Sequence, residues 1–248
     1  MSVIYVLWLR ELRRYVRSRA QMVASLGQPL LYLIALGFGL GPVFQKAGEG
    51  SYLQFVVPGI ISMSVLFSAI FSGMGLLWDR QFGFLKETLV APVPRVQIML
   101  GKMLGNATVA VCQGLVVAVV CFIAGFRVAD ASSLPAALLF MGLIALPFSA
   151  MGMTIGAALE NMQAFQLIMN FLVMPIFFLS GALYPLSNLP RPLAVITSLD
   201  PLAYGVDGLR ATLTGISHFG LAFDLAVLVG VTVLLLFVGS HFFAKIQV

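Results

Sequence analysis

Histidine, cysteine and acidic residues are scarce in this chain, and none of them is spaced for catalysis. His218 and His241 stand at opposite ends of one apolar run, where neither can assist the other as a base or a metal ligand. Neither H-E-x-x-H nor G-x-S-x-G occurs. The one Gly-Lys pair, Gly101-Lys102, lacks both the upstream glycine and the following Ser or Thr of a phosphate-binding loop. Any ATP used must therefore be bound by another chain. Cys112 and Cys121 share one apolar stretch and point to opposite faces of a helix, which reads as two buried thiols and no disulfide.

The remaining chemistry is that of uncharged polar groups set in apolar sequence. Asn106 and Gln113 are seven residues apart and fall on one helix face. Gln163, Gln166 and Asn170 make a second stripe. Amides at such depth either line a substrate path or bond neighbouring helices, and packing is the commoner role for any single one. Asp224 is the one acidic residue placed inside the last apolar run, close enough to its outer end to snorkel to water. A proton relay would need a chain of such groups at mid-depth, and the sequence has none.

The elements carrying these residues belong in lipid. Of 248 residues 60% are hydrophobic and 9% charged, with a mean hydropathy of +1.05. A water-soluble domain of this length could not hide that much apolar surface. Six runs, 21–41, 55–78, 99–125, 134–159, 163–183 and 219–243, reach the roughly 20 residues a helix needs to cross. They predict an all-α integral membrane protein, and with no internal repeat, one domain over 1–248. With the N-terminus inside, ten of the 14 Lys and Arg lie on the cytoplasmic side, and both termini are cytoplasmic. Arg10 follows an apolar run instead of preceding one, the reverse of a cleavable signal, so the segment is expected to stay.

Residues 2–19 predict an amphipathic helix on the membrane surface. Arg10, Arg13, Arg14 and Arg17 share one arc, with Ile4, Trp8, Leu12, Tyr15 and Val16 opposite, while Val3, Val6, Leu7 and Glu11 spoil the separation. Pro29, Pro147 and Pro175 bend their spans. Gly37/Gly41, Gly101/Gly105 and Gly152/Gly156 are spaced for close helix approach. Between the second and third spans, residues 79–92 mix charge with Phe82, Phe84, Leu85 and Leu89 and stop at Pro92 and Pro94. That pattern suits a short amphipathic helix with apolar residues left for a partner or for headgroups.

Here the sequence resembles the ABC-2 type transporter permeases. The series Asp79-Arg80-x-x-Gly83-x-x-Lys86-Glu87-x-Leu89-x-Ala91-Pro92-Val93-x-Arg95 is similar to the family's coupling-helix region. Tyr52 to Gly59 resembles the entry to its second span. Phe178 to Pro190 and Asp200-Pro201-Leu202-x-Tyr204-x-x-Asp207-x-Leu209-Arg210 resemble its outer segment, with Asp200 where the family often has Asn. The blocks keep the family's order from residue 52 to 210.

The resemblance implies a permease subunit of an ATP-driven exporter, with no enzymatic activity or cofactor of its own. ATP and Mg would sit on a separate ABC-type ATPase, and a second permease copy would flank the path. Partners would be these proteins and membrane lipid, with no nucleic acid. Residues 79–92 would dock on the ATPase through Phe82, Phe84, Leu85 and Leu89, with Gly83 between them and Arg80, Lys86 and Glu87 at the rim. Residues 184–218 would form short re-entrant outer helices, and Gly181, Tyr184, Pro185, Asp207 and Arg210 an outer gate. Asn106, Gln113, Gln166 and Asn170 are the path candidates. The substrate would be a hydrophobic drug, a lipid or a glycan-type molecule. The alternative, an ATP-independent secondary transporter or channel, predicts mid-membrane charges or internal repeats.

Overall fold

The structure, a computed structural model, describes residues 2–39, 41, 51–84, 93–186 and 189–244. Among the described residues the regular elements are helices throughout: α1 (Val3–Arg17), α2 (Arg19–Tyr32) continued by a π turn (Leu33–Phe38), α3 (Tyr52–Gln81), α4 (Arg95–Ile123), α5 (Leu134–Ala158), α6 (Met162–Leu179), α7 (Arg191–Leu199), α8 (Pro201–Thr214) and α9 (Leu221–Ala244). Five of them, α3, α4, α5, α6 and α9, are long and apolar enough to cross a hydrocarbon core. The bent pair Val3–Arg17 and Met22–Gly37, whose limbs meet at 74°, passes the same length and hydropathy test only if its two limbs count as one span, which makes five or six candidate crossings among the described residues. The second limb is the expected first span, and the other five expected spans coincide with helices. Between the last two spans lie α7 and α8, of 9 and 14 residues, each too short to cross.

Local chemistry fixes the ends. Asp200 accepts from the Leu202 N–H at 2.9 Å and Pro201 takes the first helical position, so α8 starts there. It stops at Gly215, whose φ of +78° is a left-handed stop. Asn161 caps α6 in the same manner through the Gln163 N–H at 2.8 Å. α3 ends at Phe82 and Gly83, the latter at φ +80°.

α3 is the central helix, buried without interruption from Val56 to Leu66 and packed most extensively on α5 and α4. At the α3–α5 crossing the two backbones touch. A Cβ on Gly73 would lie 2.0 Å from the Gly152 carbonyl oxygen, and one on Gly156 would lie 2.6 Å from that of Gly73. Small residues permit such contact, which is what holds helices together where lipid competes for apolar side chains. Gly101 and Gly105 likewise seat α1 on α4, against Ile4, Leu7, Trp8 and Glu11. At the third expected pair, a Cβ at Gly37 would meet Leu53 at 3.0 Å, and among the described residues nothing lies within 4 Å of one at Gly41.

Candidate functional site

α1 is amphipathic as expected, and its apolar side packs partly on α4. Leu7 and Tyr15 are buried, and Trp8 Nε1 donates to Thr108 Oγ1 on α4 at 3.1 Å. Leu7 and Glu11, which blur the amphipathic pattern, are the residues turned toward α4. Arg13, Arg14 and Arg17 are exposed, whereas Arg10 reaches Asp79 at the end of α3 at 3.3 Å. Lys102 of α4 contacts the same carboxylate. Asp79 is 5% and Lys102 3% exposed, so each charge depends on the other for solvation. The triad joins three helices at one end of the bundle, hereafter the basic end.

The separate helix expected over 79–92 does not begin at residue 79, and 85–92 lie outside the described residues. Asp79, Arg80 and Gln81 are the last turn of α3, and the break falls at Gly83 because only there does the backbone turn left-handed. Arg80 is not a free rim charge: it donates to the Leu159 carbonyl at 3.3 Å and pairs with Glu160 at 3.1 Å, on the α5–α6 connector. Phe82 and Phe84 stand 71% and 53% exposed. Leu85, Lys86, Glu87 and Leu89 lie outside the described residues.

Beside Lys102 of the triad is a partly open cavity of about 450 Å³, lined by α1, α2, α3 and α4 and by Met153 of α5. Glu11, Arg14 and Trp78 line it at the basic end, where the exposed Arg14 and Trp78 mark its mouth. Ser64, Ser68 and Ser72 line it as one i, i+4, i+8 stripe of α3, facing Asn106 and Gln113 of α4 and Gln28 of α2. Ser72 bonds its own helix, to the Ala69 carbonyl. Ser64, Ser68, Gln28, Asn106 and Gln113 make no side-chain hydrogen bond among the described residues. The serine stripe went unnoticed in the sequence although its spacing was legible there.

The four path candidates do not converge. α6 buries Phe165, Met169, Val173 and Phe177 at four-residue spacing, and Gln166 and Asn170, one position on, are turned about 100° away and exposed. Neither of them lines the cavity that Asn106 and Gln113 face.

At the opposite end, the expected gate residues form two separate clusters. Arg210 donates to the Gly181 carbonyl at 2.9 Å and stacks 4.1 Å over the Phe55 ring. Burial lowers its pKa to about 10, partly offset by nearby Asp207, so it is a cation at neutral pH. The bend at Gly181 (φ +72°) rests on α3, where a Cβ at Gly59 would meet the Ala182 carbonyl at 2.3 Å. Asp207 does not pair with Arg210 through a hydrogen bond. It accepts from the His218 and Phe219 N–H groups at 2.8 Å and from Ser217 Oγ at 3.1 Å, holding the α8–α9 loop. Tyr184 is half-buried and Pro185 exposed, both outside these clusters. Asp224 does not snorkel: it is wholly buried facing Asp207, and neither of its oxygens has a donor.

Crossing helices around a mainly apolar cavity with several polar side chains in its wall fit a membrane transport component. The comparisons with known proteins agree. The family model described as ABC-2 type transporter matches residues 2–214. Inner membrane transport permease YadH of Escherichia coli (strain K12) is 30% identical over 226 residues, covering 90% of this chain and 87% of its own. Nodulation protein J of Rhizobium leguminosarum bv. trifolii is 29% identical over 213 residues, 85% and 78% of the two chains. Putative transport permease ycf38 of Cyanophora paradoxa is 28% identical over 214 residues, 84% and 72%. The chain belongs to the ABC-2 type transporter family, as a membrane-embedded transport permease.

Proposed function

We propose that this chain is the membrane-spanning subunit of an ATP-driven exporter, powered by a separate ABC-type ATPase and working beside a second permease copy in the cytoplasmic (inner) membrane. Its basic end faces the cytoplasm, since most Lys and Arg gather there. The observation that carries the reading is the placement of the cavity mouth and the exposed Phe82 and Phe84 at that same end. A partner docking at the phenylalanines would push on α3, and α3 forms one wall of the cavity. Gln166 and Asn170, polar and exposed on a crossing helix, are costly against lipid and suit cover by a second copy. The substrate is a hydrophobic drug, a lipid or a glycan-type molecule taken up from the inner side.

The test is reconstitution with the cognate ATPase. Phe82→Asp with Phe84→Asp should leave the permease folded but abolish its co-purification with the ATPase and any transport-linked ATP hydrolysis. Coupling that survives both substitutions would refute the docking assignment.

A further inference from the structure

The cavity's chemistry selects among these substrates, and the selection rests on the exporter reading only for direction. From Trp78 at its mouth to Ser64 at its head the cavity runs 14 residues along α3, about 21 Å at the helical rise. That carries it from the basic end past the midpoint of a helix spanning Tyr52–Gln81. Beyond Ser64 toward the far end, α3 is buried on all sides as far as Val56, so the cavity is closed there.

Three amides and two hydroxyls face this space with no protein partner among the described residues. Amides and hydroxyls left bare at mid-membrane cost several kcal/mol each, so something polar must fill the cavity. Water can do so through the open mouth. A ligand that expels this water gains only if it replaces the lost hydrogen bonds, as donor and as acceptor.

Charge is absent where the ligand's head would rest. Asp79 is shared by Lys102 and Arg10, which leaves the triad with one net positive charge, and Glu11 and Arg14 stand one turn apart on α1, so the charges lie at the basic end and not deeper. No carboxylate lies deeper in the lining to hold a cation, and no base to hold an anion. Phe67, Phe71, Met63 and Met74 supply the apolar part of the wall.

We propose that the cavity is the inward-facing site for the uncharged, hydroxyl- or amide-rich head of an amphiphile, whose hydrocarbon tail stays against apolar side chains or lipid. A quaternary lipophilic cation is excluded, because it has no N–H or O–H to give the acceptors and meets a net positive triad on the way in. Asn106 and Gln113 are specificity residues: with paired donors and acceptors they read a polyol or amide on both counts.

Trp78 at the mouth gives a direct readout in the permease alone, reconstituted in phosphatidylcholine nanodiscs without the ATPase. Failure here is thereby distinguished from failure of the coupling test. Dodecyl maltoside should change Trp78 emission saturably, and the change should vanish in Trp78→Phe. Dodecyltrimethylammonium, with the same tail and a cationic head, should give no saturable change. Asn106→Leu with Gln113→Leu should weaken maltoside binding at least tenfold. Ser64→Ala with Ser68→Ala, a gentler change, should weaken it severalfold and serves if the leucine pair does not fold. The proposal is overturned if the ammonium surfactant binds as tightly as the maltoside. It is equally overturned if the maltoside gives no saturable signal or if folded variants bind it unchanged.

Discussion

Asp200, Asp207 and Asp224 cluster at the far end of the bundle, and each carboxyl meets a different environment. Asp207 accepts from three donors and so ties the α8–α9 loop down. Asp224 faces it with none. Asp224→Asn should be nearly neutral in thermal melts of the purified protein, because no hydrogen bond to the side chain is lost. Asp207→Asn should cost about 1–3 kcal/mol, because one of the two oxygens that accept from the loop becomes an NH2 donor. Asp200 is the third case. Burial pushes its pKa up to about 7, against one helpful bond from the Leu202 N–H. A raised carboxyl favours the folded state below its unfolded value near 3.9, and that contribution fades as pH rises through 7. Melts should lose up to about 4 kcal/mol between pH 4 and pH 8, and Asp200→Asn should flatten the profile. None of these environments was legible in the sequence. Asp224 belongs to a buried stripe with Leu228 and Thr232, but α9 is apolar all round, so no pattern marks which face turns inward.

At the scale of the element, helix existence was plain from the apolar runs, and the expected spans meet their helices within a few residues. Faces were legible only where polarity alternates. α1 shows the limit: its arginine arc was evident, yet Leu7 and Glu11 looked like noise until α4 supplied the reason for them. The same holds for Asp79, which reads as one residue of a family motif and proves to be the hub of a triad linking α1, α3 and α4. Removing one partner of a buried pair leaves the other charge stranded. Lys102→Met should cost about 3–5 kcal/mol, and pairing it with Asp79→Asn should recover much of that loss. Chemical or thermal unfolding of the single and double variants measures the difference. A double variant no more stable than Lys102→Met would remove the triad from the account.

Across the whole molecule, lipid as solvent explains why fold class was readable and the site was not. Hydropathy reports which segments leave water, and charge asymmetry reports which end faces inward. A reporter fused after Val248 should accordingly register on the cytoplasmic side, and an external signal would overturn the orientation. Neither signal encodes which helices are neighbours. Asn106 and Gln113 were found because their own spacing aligned them, and Gln166 and Asn170 satisfied the same rule yet face elsewhere. Only the packing of α2 and α3 against α4 decides that one stripe encloses a cavity and the other does not.

The backbone contact of Gly73 with Gly152 and Gly156 sets a rule for how this chain can vary. Exposed positions of the crossing helices, such as Phe171 or Phe237, accept any side chain that lipid accepts. At the three glycines even one methyl group meets a carbonyl oxygen of the opposite helix at 2.6 Å or less. A saturation scan scored for membrane-inserted, folded protein should thus show a narrow forbidden line across α3 and α5, with broad tolerance on the lipid side. Alanine at Gly73 should already fail there, where a leucine at Phe171 passes unnoticed.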